Sequence, residues 1–202
     1  MEFNSLLKVL QKNRFYIFSF DDLRVFYPHE SSANLKKEMY RWRNKGLIAG
    51  LKKGLYELTF PQEMAIPDMV IANKLYEPSY VSLETALSHY SVIPEIAMAV
   101  TSITTKPTRH FKNRHGLFIY RTLRPKSFTG YYLEKMNGFE VMLAEPEKAV
   151  MDYLYFKARR GEKVDYESER FDKTIISKMN KKKLKKYAGA FNLNLRSFYA
   201  YV

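Results

Sequence analysis

Residues 31–58, SSANLKKEMYRWRNKGLIAGLKKGLYEL, constrain the fold of this chain more than any other stretch. Apolar side chains recur there at helical spacing, which predicts a helix that is capped by Ser31 or Ser32 and ends near Asn44. The side of this helix that we expect to be buried carries Leu35, Met39 and Trp42. The opposite side carries Ser32, Lys36, Lys37, Tyr40, Arg41 and Arg43, so the helix would present a basic surface.

A basic hairpin is predicted directly after this helix. Lys45-Gly46 ends the helix, because glycine adopts the left-handed C-cap conformation without strain. The segments 47–51 and 55–58 are predicted strands, and Lys52-Lys53-Gly54 between them predicts a tight turn with a basic tip. This order is typical of the second half of a winged helix-turn-helix, whose helix enters the major groove while its hairpin contacts phosphates. We therefore predict DNA contacts at Ser32, Lys36, Lys37, Tyr40, Arg41, Arg43, Lys52 and Lys53.

The first thirty residues fit the other half of the same motif. They predict a first helix capped by Asn4 or Ser5, a β-prone run at 16–20, and a second helix that begins at Ser19. The second helix must end before Pro28, because proline disfavours helical geometry in the residue before it and has no N–H. Residues 1–60 are therefore predicted to form a winged helix-turn-helix domain.

Residues 61–202 are predicted to form a second domain of the α+β class, with an antiparallel sheet and packed helices. A linker at 61–67 would precede helices at 66–75 and 82–93, strands at 98–105, 116–123, 128–136 and 138–144, and a helix at 145–160. Asn137-Gly138 predicts a hairpin, since both residues tolerate positive φ. A further helix is predicted from Asp172 to about residue 190, and the final segment fits either a strand or a helix.

The net charge of +13 favours a polyanion as partner. By direct count it divides as +5 in residues 1–60, +2 in 61–142 and +6 in 143–202, so it is not one basic tail. There is no Cys, which excludes a disulfide framework and a thiolate metal site. No apolar run approaches the ~20 residues of a membrane span, and the N-terminus lacks the features of a secretory signal. We expect a cytoplasmic protein with no membrane partner.

A second basic stretch lies at 106–126, inside the predicted sheet. Its candidate phosphate contacts are Arg109, Lys112, Arg114, Arg121 and Arg124. Phosphate contact from this domain would extend the footprint on DNA and steepen its salt dependence. The alternative is a solvated, salt-bridged face of the sheet, and the sequence leaves both interpretations open.

The sequence gives little support for an enzyme. His110 and His115 could share a hairpin, but no acidic third ligand is near them in sequence. Glu145, Glu147 and Lys148 resemble the carboxylate and lysine set of metal-dependent nucleases, yet they open a predicted helix, whose dipole explains the acids. Phosphate-binding and nucleophile-elbow motifs are lacking. We predict no catalytic residues, no cofactor and no metal ion.

Three segments occur in the order seen in a known family: GLIAGLKKGLYEL (46–58), YVSLETALSHYSVIPE (80–95) and AEPEKAVMDYLY (144–155). Together they resemble the AbiEi-type antitoxins, or AbiEi-like transcriptional regulators, of type IV toxin–antitoxin systems, over roughly residues 1–160. The resemblance implies a winged helix that binds inverted repeats in its own promoter and represses transcription. It also implies a C-terminal domain that opposes a nucleotidyltransferase-like toxin without a stable complex, in phage abortive infection.

We therefore expect a DNA-binding transcriptional autorepressor and antitoxin. The alternative is a winged helix that serves as a protein–protein interaction module and does not bind an operator. A nuclease would be a third class, and it would require metal-dependent cleavage of DNA. Residues and spacing alone support a DNA-binding module joined to an α+β domain.

Overall fold

The structure, a computed structural model, describes residues 2–13, 15–59, 66–159 and 165–202. The chain divides into two compact units, one of residues 1–67 with 113–115 and the other of residues 68–112 with 116–202. The predicted domain boundary at 60/61 and residues 61–65 of the predicted linker lie outside the described residues. Each unit combines helices with a sheet, so the chain is mixed α+β.

The first unit alternates short helices and strands. Its described elements are, in chain order, α1 (Phe3–Lys12), β1 (Ile17–Ser19), α2 (Phe20–Phe26), α3 (Ser32–Asn44), β2 (Ile48–Lys52) and β3 (Leu55–Leu58). The strands form an antiparallel sheet in the order β1-β3-β2. The predicted caps of the first helix are wrong, because α1 already begins at Phe3 and no side chain caps it.

A capping box starts α2 at the predicted position. The Ser19 hydroxyl accepts a hydrogen bond from the Asp22 N–H at 3.1 Å, and the Asp22 carboxylate accepts one from the Ser19 N–H at 2.6 Å. Two N–H groups that a helix start leaves unpaired are thereby satisfied. The helix ends at Phe26, two residues before Pro28.

One apolar cluster joins the elements of the first unit. Its buried members come from α1, β1, α2, α3 and β2, and they are Leu6, Leu10, Phe18, Leu23, Met39, Trp42 and Ile48. The Trp42 ring meets the Phe3 ring edge to face, with centroids 5.7 Å apart. The predicted burial of Trp42 is confirmed.

The second unit is built around a larger sheet. Its described elements are α4 (Asp68–Leu75), β4 (Ser79–Val81), α5 (Leu83–His89), β5 (Ala99–Thr104), β6 (Arg109–Asn113), β7 (Gly116–Thr122), β8 (Tyr131–Met136), β9 (Phe139–Ala144), α6 (Pro146–Arg159), α7 (Lys173–Ser177), α8 (Lys181–Phe191) and α9 (Arg196–Tyr201). None of the described helices combines the length and the apolar character that crossing a bilayer requires.

The prediction of an antiparallel sheet is wrong, because the sheet is mixed. Its order is β6-β7-β5-β4-β9-β8. β4 pairs antiparallel with β5 and β8 with β9, whereas β4 runs parallel to β9 and β5 parallel to β7. β4 could not be predicted from the sequence, since all three of its residues are buried and show no alternation.

Two further elements differ from expectation. The polar segment of β6 forms an edge strand, a position that tolerates charged side chains. The helix predicted from Asp172 is two helices. α7 ends at Ser177, and Asn180 caps α8 by accepting hydrogen bonds from the N–H groups of Lys182 and Lys183 at 2.9 and 3.2 Å. The final segment is helical, as α9.

Helices cover both faces of the sheet in the second unit. The Tyr120 hydroxyl on β7 donates a hydrogen bond to the carbonyl of Ala72, which places α4 on one face. The Tyr80 hydroxyl on β4 donates one to Asp152 of α6 at 3.0 Å, and it lies on the other face. Side chains of β5 and β7 therefore point alternately toward α4 and toward α6.

A buried polar network joins β4 to α6. Lys148 is 1% exposed and Asp152 0% exposed, and the two side chains form an ion pair one helical turn apart. Asp152 also accepts a hydrogen bond from the Ser82 hydroxyl at 2.8 Å, and Lys148 donates one to the Tyr80 hydroxyl at 2.9 Å. Burial lowers the pKa of Lys148 and raises the pKa of Asp152, while the charge of each opposes the shift in the other.

Removing one member of this pair should destabilise the protein strongly. We expect Lys148→Met to lower the free energy of unfolding by about 3–5 kcal/mol, because it leaves a buried carboxylate without its counter-ion. Lys183→Met is the control: it removes a partly exposed ion pair with Glu145, whose N–O distance is 3.0 Å, and its cost should be about 1 kcal/mol. Urea unfolding followed by circular dichroism measures both. Equally small losses would show that the buried pair does not hold α6 on the sheet.

Candidate nucleic-acid interface

Local hydrogen bonds fix both ends of α3. The Ser31 hydroxyl accepts a hydrogen bond from the Asn34 N–H at 3.1 Å, so Ser31 is the cap. At the other end Gly46 takes a φ of +68°, which glycine adopts with least strain. Between these ends the inward side chains are buried, as predicted for Leu35, Met39 and Trp42.

The outer surface of α3 is cationic and carries an exposed tyrosine. All six side chains that were predicted to face DNA from this helix are exposed. They form two stripes, with Ser32, Lys36, Tyr40 and Arg43 in one and Lys37 and Arg41 in the other. Tyr40 is 68% exposed, so its ring and hydroxyl are open to a partner.

Neighbouring groups engage two of the cations on α3. Arg41 Nη1 lies 2.7 Å from Glu38 Oε1, and Lys36 Nζ lies 5.7 Å from the centroid of the Phe20 ring. Because an ion pair between helix residues three apart contributes only about 0.2–0.5 kcal/mol, Arg41, whose side chain is 53% exposed, can exchange Glu38 for a phosphate at small cost. Lys37 and Arg43 form no ion pair with any residue that the structure describes.

The β2–β3 hairpin holds Lys53 at its tip. Lys53 and Gly54 form the turn, in which Gly54 takes a φ of +81° and Lys53 is exposed. Lys52 was predicted in the turn, but it is the last residue of β2, is partly exposed and pairs with Leu55. Lys53 is therefore better placed than Lys52 to reach a phosphate.

The charges of this surface suit a polyanion. Along α3 four cationic side chains stand against the single carboxylate of Glu38. Lysine and arginine bind phosphates and the acceptor edges of guanine, and serine and tyrosine hydroxyls bond to phosphates. The arrangement can therefore both position and read a duplex.

The candidate cations of the second domain do not share one face. Arg109 and Lys112 are three residues apart on β6, so they project to opposite faces of that strand. The Arg109 guanidinium lies 5.7 Å from the centroid of the Tyr76 ring. Arg114 lies in the turn after β6, in the segment grouped with the first unit, and Arg124 is exposed beyond the end of β7.

Arg121 differs from the other candidates because it is half-buried. Its guanidinium lies 5.5 Å from the centroid of the Phe156 ring on α6, and its Nε is buried without a hydrogen-bond partner. It lines a cavity that it shares with Glu84. The position of Arg121 beside Phe156 and Glu84 could not be predicted from the sequence. The face on which a strand residue lies depends on the register of the strand, and the charge of a residue does not reveal that register.

The residues that resembled a nuclease set each have a structural contact. Glu147 accepts a hydrogen bond from the Asn180 N–H at 2.9 Å, and Glu145 accepts one from the Tyr187 hydroxyl at 2.7 Å. Lys148 belongs to the buried network with Asp152. Within the described ranges, no three or more His, Asp or Glu side chains are grouped so that they could hold a metal ion.

Comparison with known proteins gives no family assignment. No protein-family model matches the chain, and no curated protein is significantly similar to it. The functional conclusion therefore rests on the residues, on their geometry and on the resemblance carried by the three segments at 46–58, 80–95 and 144–155.

Proposed function

We propose that the chain is a DNA-binding transcriptional autorepressor and antitoxin of a type IV toxin–antitoxin operon. In this proposal the first unit is a winged helix-turn-helix, α3 reads operator DNA and the β2–β3 hairpin contacts flanking phosphates. The second unit counters a nucleotidyltransferase-like toxin. The exposed cationic surface of α3 is the observation that carries the DNA-binding half.

The topology of the first unit supports a winged helix. Its described order is α1-β1-α2-α3-β2-β3, with an antiparallel sheet β1-β3-β2, which is the order expected of a winged helix-turn-helix. The turn between α2 and α3 spans residues 27–31, and α3 presents its polar side to solvent. In a winged helix-turn-helix the helix at this position is the one that enters the major groove.

The dimensions and chemistry of α3 also suit a duplex. A helix with its side chains is about 10–12 Å across, and the major groove is about 12 Å wide. Lys36, Lys37 and Arg43 can donate to base edges or phosphates, while Lys53 meets the backbone beside the groove. An operator with inverted repeats would take two copies of the chain, one on each half-site.

The antitoxin half of the proposal rests on the resemblance of the three ordered segments to the AbiEi-type family. It requires no catalytic group, metal or cofactor from this chain. The competing function is a winged helix that docks on another protein. Titration of a fragment of the chain's own promoter at two salt concentrations separates the two, since phosphate contacts make affinity fall steeply with salt.

Lys53→Ala should weaken binding to all DNA sequences alike, because a phosphate contact carries no sequence information. The slope of log affinity against log salt should become shallower by about one unit. Lys8→Ala, at an exposed lysine of α1, is the matched control and should leave the slope unchanged. Fluorescence anisotropy with a promoter duplex and a shuffled duplex measures both variants. An unaltered slope in Lys53→Ala would remove the hairpin from the interface.

Lys37→Ala should instead lower affinity selectively for the operator. If Lys37 reads a base edge, we expect a loss of about 1–3 kcal/mol on the promoter duplex and a relaxed preference at one base pair. Competition binding against single-base operator variants measures the preference. Lys53→Ala is the contrast, because it should lower affinity without changing preference. A wild-type affinity and preference in Lys37→Ala would mean that this residue does not read the operator.

Antitoxin activity should be separable from operator binding. Induced co-expression with the nucleotidyltransferase-like product of the neighbouring gene should restore growth that this product alone blocks. The double variant Lys37→Ala/Lys53→Ala should still restore growth while failing to repress a promoter reporter, because the proposal assigns the two activities to different units. Failure of the wild-type chain to restore growth would contradict the antitoxin half and leave the DNA-binding half standing.

A further inference from the structure

A cavity of about 410 Å³ opens in the second unit beside α5 and β5. Its size falls within the range of about 300–1,000 Å³ that is usual for small-molecule sites. Apolar side chains form much of its wall, including Ile93 in the segment after α5 and Ile119 on β7. Sites of this kind usually combine such a wall with a few placed polar groups.

Two large apolar side chains stand in solvent at this cavity. Ile96 is 87% exposed and Met98 is 97% exposed, and both belong to its lining. They provide an apolar surface that a bound molecule can remove from water.

Some of the charged side chains that line the cavity form ion pairs and others do not. Glu95 pairs with Arg170 at 3.0 Å, and Glu169 pairs with Lys157 at 2.7 Å. The side chains of Glu84 and Arg121 form no ion pair or hydrogen bond with any residue in the described ranges, although the Arg121 guanidinium lies on the Phe156 ring. One carboxylate and one guanidinium in the same wall therefore lack a partner of opposite charge.

One atom of each of these two side chains is also buried. Glu84 Oε2 and Arg121 Nε are both buried without a hydrogen-bond partner. Both residues line a second, adjoining void of about 10 Å³ beside Leu83 and Phe156. That is roughly the space of one water molecule, so bulk water does not hydrate these atoms. One water in this void can serve both buried atoms. The two side chains also line the larger cavity, where a bound molecule can reach them.

We propose that this cavity binds a small zwitterion with an apolar side group, of the chemical class of free apolar amino acids and their dipeptides. Glu84 accepts the ammonium group and the guanidinium of Arg121 binds the carboxylate. The side group packs on Ile96 and Met98. The site is independent of the DNA-binding function, since α3 and the β2–β3 hairpin contribute nothing to it.

Isothermal titration calorimetry of the full chain tests the ligand class. The panel is leucine, methionine, phenylalanine and leucyl-leucine, and at least one should bind at one site with a Kd below about 1 mM. The N-acetyl and amide forms of that ligand each lack one charge, so they should bind at least about tenfold more weakly. No binding by any member of the panel up to about 10 mM would overturn the proposal.

Variants of the cavity test the assignment of residues. Glu84→Gln and Arg121→Met should each weaken binding by about tenfold or more, and far-ultraviolet circular dichroism confirms that they fold. Glu95→Gln is the matched control, because Glu95 lines the same cavity but already pairs with Arg170. Met98→Ala, at an exposed position, should weaken binding of leucine without affecting the fold. Wild-type binding in Glu84→Gln and Arg121→Met, or an equal loss in Glu95→Gln, would overturn the assignment.

Discussion

Burial of one side of α3 is the interaction on which the proposed DNA interface depends. Leu35, Met39 and Trp42 are buried in the first unit, and burial of such side chains is worth about 1.5–3 kcal/mol each. The ion pair between Arg41 and Glu38 lies within the helix, three residues apart, and contributes about 0.2–0.5 kcal/mol. Packing, rather than charge, therefore sets the rotation of the helix, and helical periodicity then leaves the cations and Tyr40 facing outward.

The first unit could be predicted from sequence because its signals are local. The capping box of Ser19 and Asp22, the cap at Ser31 and the glycine at position 46 each act within a few residues. The sheet of the second unit depends on pairings that no local signal specifies, such as the parallel alignment of β5 with β7. The break between α7 and α8 was not predicted, because a single Asn before a lysine-rich stretch does not by itself indicate a helix start. The capping hydrogen bonds of Asn180 show it in the structure.

The surface of α3 and the cavity at Arg121 differ in how far each could be predicted from the sequence. On α3 the spacing of apolar residues alone indicates which side chains face solvent. The structure confirms this, since all six predicted residues of that helix are exposed. On β7 a shift of one residue exchanges the two faces of the sheet, so the charge of Arg121 could not show that it lies at Phe156 and shares a cavity with Glu84. The same limit applies to Lys148, whose burial with Asp152 the sequence does not reveal.

Backbone amide chemical shifts of the isotope-labelled full chain, recorded with and without a duplex from its own promoter, test DNA binding by α3 most directly. We expect the largest shift changes within Ser32–Asn44 and at Lys53-Gly54. These changes should saturate with added duplex and weaken as salt is raised. Changes confined to the second unit, or none at a saturating concentration of DNA, would contradict DNA binding by α3.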